Sequence, residues 1–435
     1  MVCKMLDDMM PSGEDWIGDI PKDWSVSRIQ NFLYEINVKN SPIKTNNILS
    51  LTNTDGVIPY SERGNQGNRA KENLEDYKVV YPNTIVANSM NILIGSVGLS
   101  KYEGCVSPVY YVYGAKPQND IRFFSYIFSS TQFQKELRKY ANGILEIRMR
   151  VSSSNILKRK VAIPPEGKQT KIADWLDEEI KKIDELIKSA QNSLSDYSDL
   201  KNAIIFECVT KGLNPNCEFV DSGISFIGNI PKHWELTRLR NIGTPQNGIS
   251  KGGEFFGKGY PFVSYGDVYR NYSLPDTVEG KIESTQTERE KYSVCRGDIF
   301  FTRTSETIEE VGFSSVCEKT IPDATFAGFL IRVRPFNDCL LPEFSKYYFR
   351  SPQHRYYLAK EMNIVTRASL GQTLLKNMPV LIPPKEEQRL IAKYLEDKCA
   401  EIDMIIREKE ALIKDLEEYK KSLIFEVVTG KRKVV

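Results

Sequence analysis

Ile163-Pro164-Pro165-Glu166-Gly167-Lys168-Gln169-Thr170-Lys171-Ile172-Ala173-Asp174-Trp175-Leu176 returns 219 positions later as Ile382-Pro383-Pro384-Lys385-Glu386-Glu387-Gln388-Arg389-Leu390-Ile391-Ala392-Lys393-Tyr394-Leu395. The match continues without a gap, residues Ile163–Thr210 onto Ile382–Thr429, with 17 of 48 positions identical. A proline pair cannot sit inside a helix but can precede one. After it, apolar residues keep a seven-residue frame. The first copy has the rows Leu176, Ile183, Ala190, Tyr197, Ile204 and Ile180, Ile187, Leu194. The second has Leu395, Ile402, Leu416, Leu423 and Cys399, Ile406, Ile413, Val427. Sustained 3-4 spacing with charge elsewhere predicts two long coiled-coil helices that pair with each other. Each is expected to run to about 40 residues, or about 60 Å.

A second phrase is also written twice, Gly18-Asp19-Ile20-Pro21-Lys22-Asp23-Trp24 and Gly228-Asn229-Ile230-Pro231-Lys232-His233-Trp234. Between the like edges lie unlike centres, residues 12–162 and 222–381. The first helix ends at Thr210-Lys211-Gly212-Leu213-Asn214-Pro215, a stop signal with a short link onward. This connectivity predicts antiparallel helices, a pseudo-two-fold arrangement with the centres at opposite ends, and a C-terminus returning near the start. The expected class is α+β: two globular α/β domains separated by a pair of long antiparallel helices. The expected boundaries are 1–162, 163–212, 213–381 and 382–435. Strands are read at Val79-Val80-Tyr81, Thr84-Ile85-Val86, Val109–Tyr113, Ile299-Phe300-Phe301 and Phe329–Val333, and helices at Ile121–Tyr140 and Leu341–Glu361.

With 435 residues, 41% hydrophobic and 27% charged, the chain has the make-up of a soluble protein of several domains. No apolar run reaches the length of a membrane span, and no signal peptide is read at the N-terminus. Eight scattered cysteines without a Cys-x-x-Cys pair suggest free thiols in a reducing cytosol, hence a cytoplasmic protein. Two histidines, His233 and His354, offer little for imidazole catalysis or a metal site. The net charge of +2 does not exclude nucleic acid, because only the face that meets phosphate must be basic. Residues 148–160 hold Arg148, Arg150, Lys158, Arg159 and Lys160 with no acid.

Catalytic motifs are sparse. There is no phosphate loop of the Gly-x-x-x-x-Gly-Lys-Ser/Thr kind, no Asn/Asp-Pro-Pro-Tyr/Phe tetrad and no Gly-rich cofactor loop. Pro275-Asp276…Glu279-x-Lys281 resembles a nuclease string, but its carboxylates are too close in sequence for the usual metal arrangement and it reads as a loop. Polar loops suited to base edges are richer. Arg63, Asn65, Gln66, Asn68, Arg69 and Lys71 occupy one glycine-containing stretch, and Tyr265, Arg270, Asn271 and Tyr272 mix aromatic and basic character. Arg303 and Thr304 follow a strand. Arg148 and Arg367 each lie 16 positions before the first proline of their own Pro-Pro pair, which implies a shared role. Backbone anchoring on DNA and a salt bridge to the helix base both fit it. Together with Arg150 these are the candidate DNA contacts; no catalytic or metal residue is assigned.

On these residues the chain resembles the specificity subunit of type I restriction-modification systems. The likeness rests on Ser12 to Trp24 and Ser222 to Trp234, on the Ile-Pro-Pro…Gln…Ile-Ala-x-x-Leu helix starts, and on Gly297–Thr304 and Ser96-Val97-Gly98…Ser107-Pro108. Gly167-Lys168-Gln169 departs from the family pattern, in which an acid precedes the Gln; Glu387-Gln388 keeps it. The resemblance implies a non-catalytic chain whose two domains each read half of a bipartite, asymmetric target in double-stranded DNA, with the helices as a ruler. It implies two modification (methyltransferase) subunits and ATP-dependent restriction subunits as partners. S-adenosylmethionine, ATP and Mg would then sit on those partners and no cofactor on this chain. The alternatives are a specificity subunit serving fused methylase-nuclease chains, a nuclease or methyltransferase acting alone, and a coiled-coil scaffold without a DNA role.

Overall fold

The computed structural model describes residues 8–52, 56–63, 73–142, 149–305, 311–361 and 368–434. The chain divides into two compact units, Met1–Gln191 with Glu410–Val435, and Asn192–Lys409. Two helices of 44 residues each, Lys168–Lys211 and Lys385–Val428, are shared between them. Each is about 66 Å long at 1.5 Å per residue. The first unit holds the start of the first long helix and the end of the second; the second unit holds the converse.

Within the first unit both helix ends meet at the repeated phrase. Lys168, at the start of the first helix, pairs with Asp23. Gly430, just past the end of the second, has φ +73°, and a Cβ there would stand 2.5 Å from Pro21 Cδ and 3.1 Å from Trp24 Cε2. Only glycine suits both the left-handed turn and the close approach. Further from Trp24, Lys420 Nζ bonds Asp184 Oδ1 at 2.6 Å, so the two segments run antiparallel. The second unit repeats the plan. A Cβ on Gly212 (φ +75°) would stand 3.1 Å from Trp234 Cζ2, Glu387 reaches Trp234 Nε1 at 3.0 Å, and Lys201 Nζ bonds Asp403 Oδ1 at 2.7 Å. The heptad rows are buried where they enter these cores. Leu176 and Ile183 join Leu423 and Val427 in the first unit, and Leu395 and Cys399 join Ile205 and Val209 in the second.

Each unit is built on a four-stranded antiparallel sheet. In the first its order is Leu33–Glu35, Tyr110–Ala115, Thr84–Asn88, Val97–Ser100. In the second it is Gly243–Asn247, Leu330–Pro335, Ile299–Thr302, Ser314–Val316. Both faces are covered, and the inner strands Thr84–Asn88 and Ile299–Thr302 are buried along their whole length. Ile85, Ala87 and Tyr113 face the helical core, while Val86 and Val112 face a smaller core with Leu49, Leu51 and Val57. Likewise Ile299, Phe301 and Val333 face the helices, and Phe300 and Leu330 face Val263, Ile282 and Phe326.

Each domain helix expected as one element is two. Ile121–Ser129 and Thr131–Arg138 break at Ser130, and Pro342–Arg350 and Pro352–Glu361 break at Ser351. Both serines have extended backbone (ψ 132° and 142°). Ser130 caps the second piece by accepting from Phe133 N, and Ser351 precedes a proline, which disfavours helical backbone at that residue.

The duplicated glutamines join each long helix to its domain. Gln169 Oε1 accepts from the amide of Asp120 at 3.0 Å, and Gln388 Oε1 from the amide of Leu341 at 2.8 Å. Asp120 and Leu341 are the N-cap residues of Ile121–Ser129 and Pro342–Arg350, so each glutamine satisfies an amide beside a helix start.

Candidate nucleic-acid interface

In both units the second sheet strand in chain order ends at a rim where three chain segments meet. In the first unit the amide of Ser89 donates to Val109 O at 3.2 Å, and the amide of Val151 to Ser89 O at 3.1 Å. In the second the amide of Arg303 donates to Phe329 O at 2.9 Å, and the amide of Leu370 to Arg303 O at 2.7 Å. Ser89 thus corresponds to Arg303, Val109 to Phe329 and Val151 to Leu370.

Each rim carries an arginine, delivered by a different segment. In the first unit it is Arg150, exposed, with Nη2 3.6 Å from Met90 Sδ and its backbone paired both ways with Asn142. In the second it is Arg303, at the end of Ile299–Thr302. Thr304 continues the rim by pairing with Ser369, the residue equivalent to Arg150. Arg303 makes no side-chain ion pair among the described residues.

Arg63 also reaches the first unit's rim. Its guanidinium lies 4.4 Å from the Tyr60 ring centroid, and Nη2 donates to the Tyr60 hydroxyl at 3.2 Å. Burial raises the Tyr110 phenol above its ordinary pKa, and the Arg63 charge pulls it partly back, so a cation stands beside the strand that follows Val109. Tyr111, next along, is also raised chiefly by burial and feels the charge of Arg150.

In the second unit the short helix Tyr265–Arg270 carries two expected residues, Tyr265 and Arg270, and Asn271 is its C-cap. Its Ser264 cap and Asp267 form a reciprocal capping box, which fixes the helix start. Tyr265 stacks on Tyr269 at 5.9 Å, and Tyr269 meets Phe313 at 4.8 Å. Phe313 O accepts from Thr302 N at 2.8 Å, one residue before Arg303. Val263 O accepts from Ala327 N at 3.0 Å, two residues before Phe329. The helix start, Arg303 and the Phe329 turn are thereby tied into one edge. At the helix end Arg350 acts as a cationic cap. Its Nη1 donates to Val268 O (3.0 Å) and Ser314 O (2.8 Å), and its Nη2 to Tyr269 O (2.5 Å). Burial lowers its pKa to about 10, so it stays charged at neutral pH. Arg270 is exposed, its Nε donating to Gly266 O at 3.2 Å, and Asn271 Nδ2 donates to Asp267 O at 2.8 Å. The Asn271 side chain is thus engaged with its own helix, and Arg270 is the freer of the two.

Asn65, Gln66, Asn68, Arg69, Lys71, Arg148 and Arg367 lie outside the described residues. The nuclease-like string is a surface loop up to Lys281, which opens the strand Lys281–Ile282, and its Asp276 pairs with Lys319 at 2.7 Å. Among the described residues no group of three or more His, Cys, Asp or Glu side chains is placed to hold a metal ion. No described helix is long and apolar enough to cross a membrane. Reading from the sequence missed Phe329, which it placed inside a strand. The strand begins at Leu330, and Phe329 stands on the turn before it, 65% exposed. The signal was available in Gly328, whose freedom marks a turn rather than a strand interior.

Two units of one plan, each presenting an arginine at the same rim, define a duplicated two-site binding protein. Residues 21–195 and 231–415, well over half of the chain, match the model of the type I restriction modification DNA specificity domain. The chain belongs to that family and carries its domain twice. It is 23% identical over 432 residues to the type I restriction enzyme MjaVIII specificity subunit of Methanocaldococcus jannaschii, covering 95% of this chain and 94% of that one. It is 30% identical over 194 residues to the MjaX specificity subunit of the same organism, spanning 43% of this chain and less than half, 44%, of that protein. Among solved structures, a chain from work on complex assembly and conformational transition of the type I R-M system aligns with a TM-score of 0.71 at 16% identity, covering 95% of this chain and 99% of that one. The HsdS subunit from Thermoanaerobacter tengcongensis aligns with a TM-score of 0.52 at 15% identity, covering 95% and 98%. At these identities the structural likeness speaks to the fold.

Proposed function

We propose that this chain is the DNA-reading subunit of a type I restriction-modification complex. Its domains 1–162 and 213–381 would each contact one half of a bipartite, asymmetric site in double-stranded DNA. The observation that carries this reading is the shared rim, held in both units by the same pair of hydrogen bonds at Ser89 and at Arg303, onto which one unit brings Arg150 from a neighbouring segment and the other Arg303 itself. A guanidinium suits both phosphate and the guanine edge in the major groove. Arg63 adds to the first rim, and Tyr265, Arg270 and Thr304 to the second.

The long helices set the spacing between half-sites. Two modification subunits dock on the repeated scaffold, joined by ATP-dependent restriction subunits, and the complex works in the cytoplasm. Bond-making belongs to the partners, which bring S-adenosylmethionine, ATP and Mg; the chain itself takes no cofactor. Methylome sequencing of a host that expresses the chain with its methyltransferase partner tests the reading. A motif of two short elements separated by unspecified bases is expected, and one contiguous palindrome would refute it.

A further inference from the structure

Besides the placement of the arginine, the two rims differ at the turn position that is Val109 in the first unit and Phe329 in the second. Phe329 is among the most exposed large apolar side chains of the protein, 65% accessible. Its backbone is firmly held: Arg303 N donates to its carbonyl at 2.9 Å, and Leu330 N closes the turn on Ala327 O at 3.0 Å. Gly328 packs so tightly that a Cβ there would lie 2.3 Å from Ser250 Oγ. A rigid turn beside Arg303 therefore holds an aromatic ring out in solvent. No folding argument accounts for that placement, since the smaller core beneath the sheet is closed by Phe326 and Leu330.

We propose that Phe329 is a base-reading residue of the second domain, packing on the 5-methyl group of a thymine next to the base or phosphate that Arg303 contacts. This rests on the DNA-reading function proposed above. Phenylalanine is one of the few side chains that meet a thymine methyl in the major groove, where arginine meets guanine, so the neighbours match one groove and adjacent base pairs. Val109 is shorter and half-buried, which confines the contact to the second half-site.

The test uses the full chain in complex with its methyltransferase subunits and the duplex defined by methylome sequencing. Each thymine of the half-sites is replaced in turn by uracil, which removes only the methyl group. Binding by the wild-type complex is expected to weaken about fourfold, the worth of one buried methyl, at one thymine of the second half-site. F329V, which copies the first unit's residue, is expected to bind that thymine and uracil equally, with first half-site discrimination unchanged. The exposure of Phe329 means the substitution opens no cavity, and F329L provides a second apolar variant of intermediate reach. Undiminished thymine preference in F329V, or the absence of any methyl-sensitive thymine in the second half-site, overturns the proposal while sequence-specific binding stands. Loss of sequence-specific binding by the wild-type complex itself overturns the DNA-reading function along with it.

Discussion

Lys168 Nζ stands 3.0 Å from Asp23 Oδ2, and the repeat-equivalent positions, Glu387 and His233, meet at 2.6 Å with the polarity reversed. The helix supplies the cation in the first unit and the carboxylate in the second. Glu387 also accepts from Trp234 Nε1, so the second clasp has an added bond. The departure at Gly167-Lys168-Gln169 is thus half of a paired exchange, whose other half lies 145 residues earlier in the chain.

The exchange predicts a compensating pair of substitutions. K168E alone places two carboxylates together and is expected to lower stability by about 0.5 kcal/mol, within the range of exposed pairs. D23H in the K168E background is expected to restore it, since that combination rebuilds the second unit's clasp. Thermal midpoints of the two single variants and the double form the cycle. Purely additive effects would show that the two residues act independently.

The buried glutamines should matter more than the exposed clasps. Gln388 is fully buried and makes three bonds, to Leu341 N, Cys339 O and Pro383 O. Q388A leaves those backbone groups without partners and is expected to cost about 3 kcal/mol, against about 1–2 kcal/mol for Q169A, whose second bond to Asn119 is long. Urea unfolding of each variant measures this, and a smaller loss for Q388A would contradict the ranking.

His354 gives the second unit a titration of its own. Its ring lies buried against Tyr348 and Phe349, with Nδ1 2.6 Å from Ser351 Oγ and no partner for Nε2 among the described residues. Burial lowers the imidazole to about 3. The unfolded chain binds this proton near the ordinary value of about 6.5, so between the two values the unfolded state carries more protons. Stability is therefore lost as pH falls from about 6.5 towards 3, by up to about 1.4 kcal/mol per pH unit. H354N, which cannot titrate, is expected to flatten the slope of stability against pH in that window by one proton. An unchanged slope would mean that the ring is already charged in the fold.

Local periodicity carried the parts of this fold that the sequence made legible. The heptad rows, the Pro-Pro helix starts and the duplicated phrases located the long helices and the edges of each domain, because period and capping are properties of neighbouring residues. What stayed hidden depends on partners distant in sequence. Gln169 and Gln388 stood out as repeated, yet their role requires Asp120 and Leu341, 49 and 47 residues away. Arg303 was readable as a basic residue after a strand. Its equivalence to Ser89 was not, because that follows from hydrogen bonds across three segments rather than from any shared letter.

The rim arginines should separate the two half-sites. R150A is expected to weaken or relax reading of the first half-site only, and R303A of the second only, each by about 1–3 kcal/mol where the contact is to a base. If either contacts phosphate instead, affinity falls for all sequences and the salt dependence of binding becomes shallower by about one ion. Duplex binding at several salt concentrations, with each half-site scrambled in turn, distinguishes these outcomes. A loss at both half-sites from either variant would contradict the assignment of one arginine to each.

Spacing is the remaining prediction, and it rests on the two long helices. Asp184 with Lys420 and Lys201 with Asp403 leave a stretch of each helix between them, residues 185–200 and 404–419. Inserting one heptad into both stretches preserves the apolar frame on each side, because seven residues return every row to its place. Each helix lengthens by about 10.5 Å. At about 3.4 Å per base pair, the unspecified gap between half-sites is expected to widen by about 3 base pairs while both half-site sequences stay the same. Methylome sequencing reads gap and half-sites together, and an unchanged gap in the heptad variant would rule out the helices as the ruler.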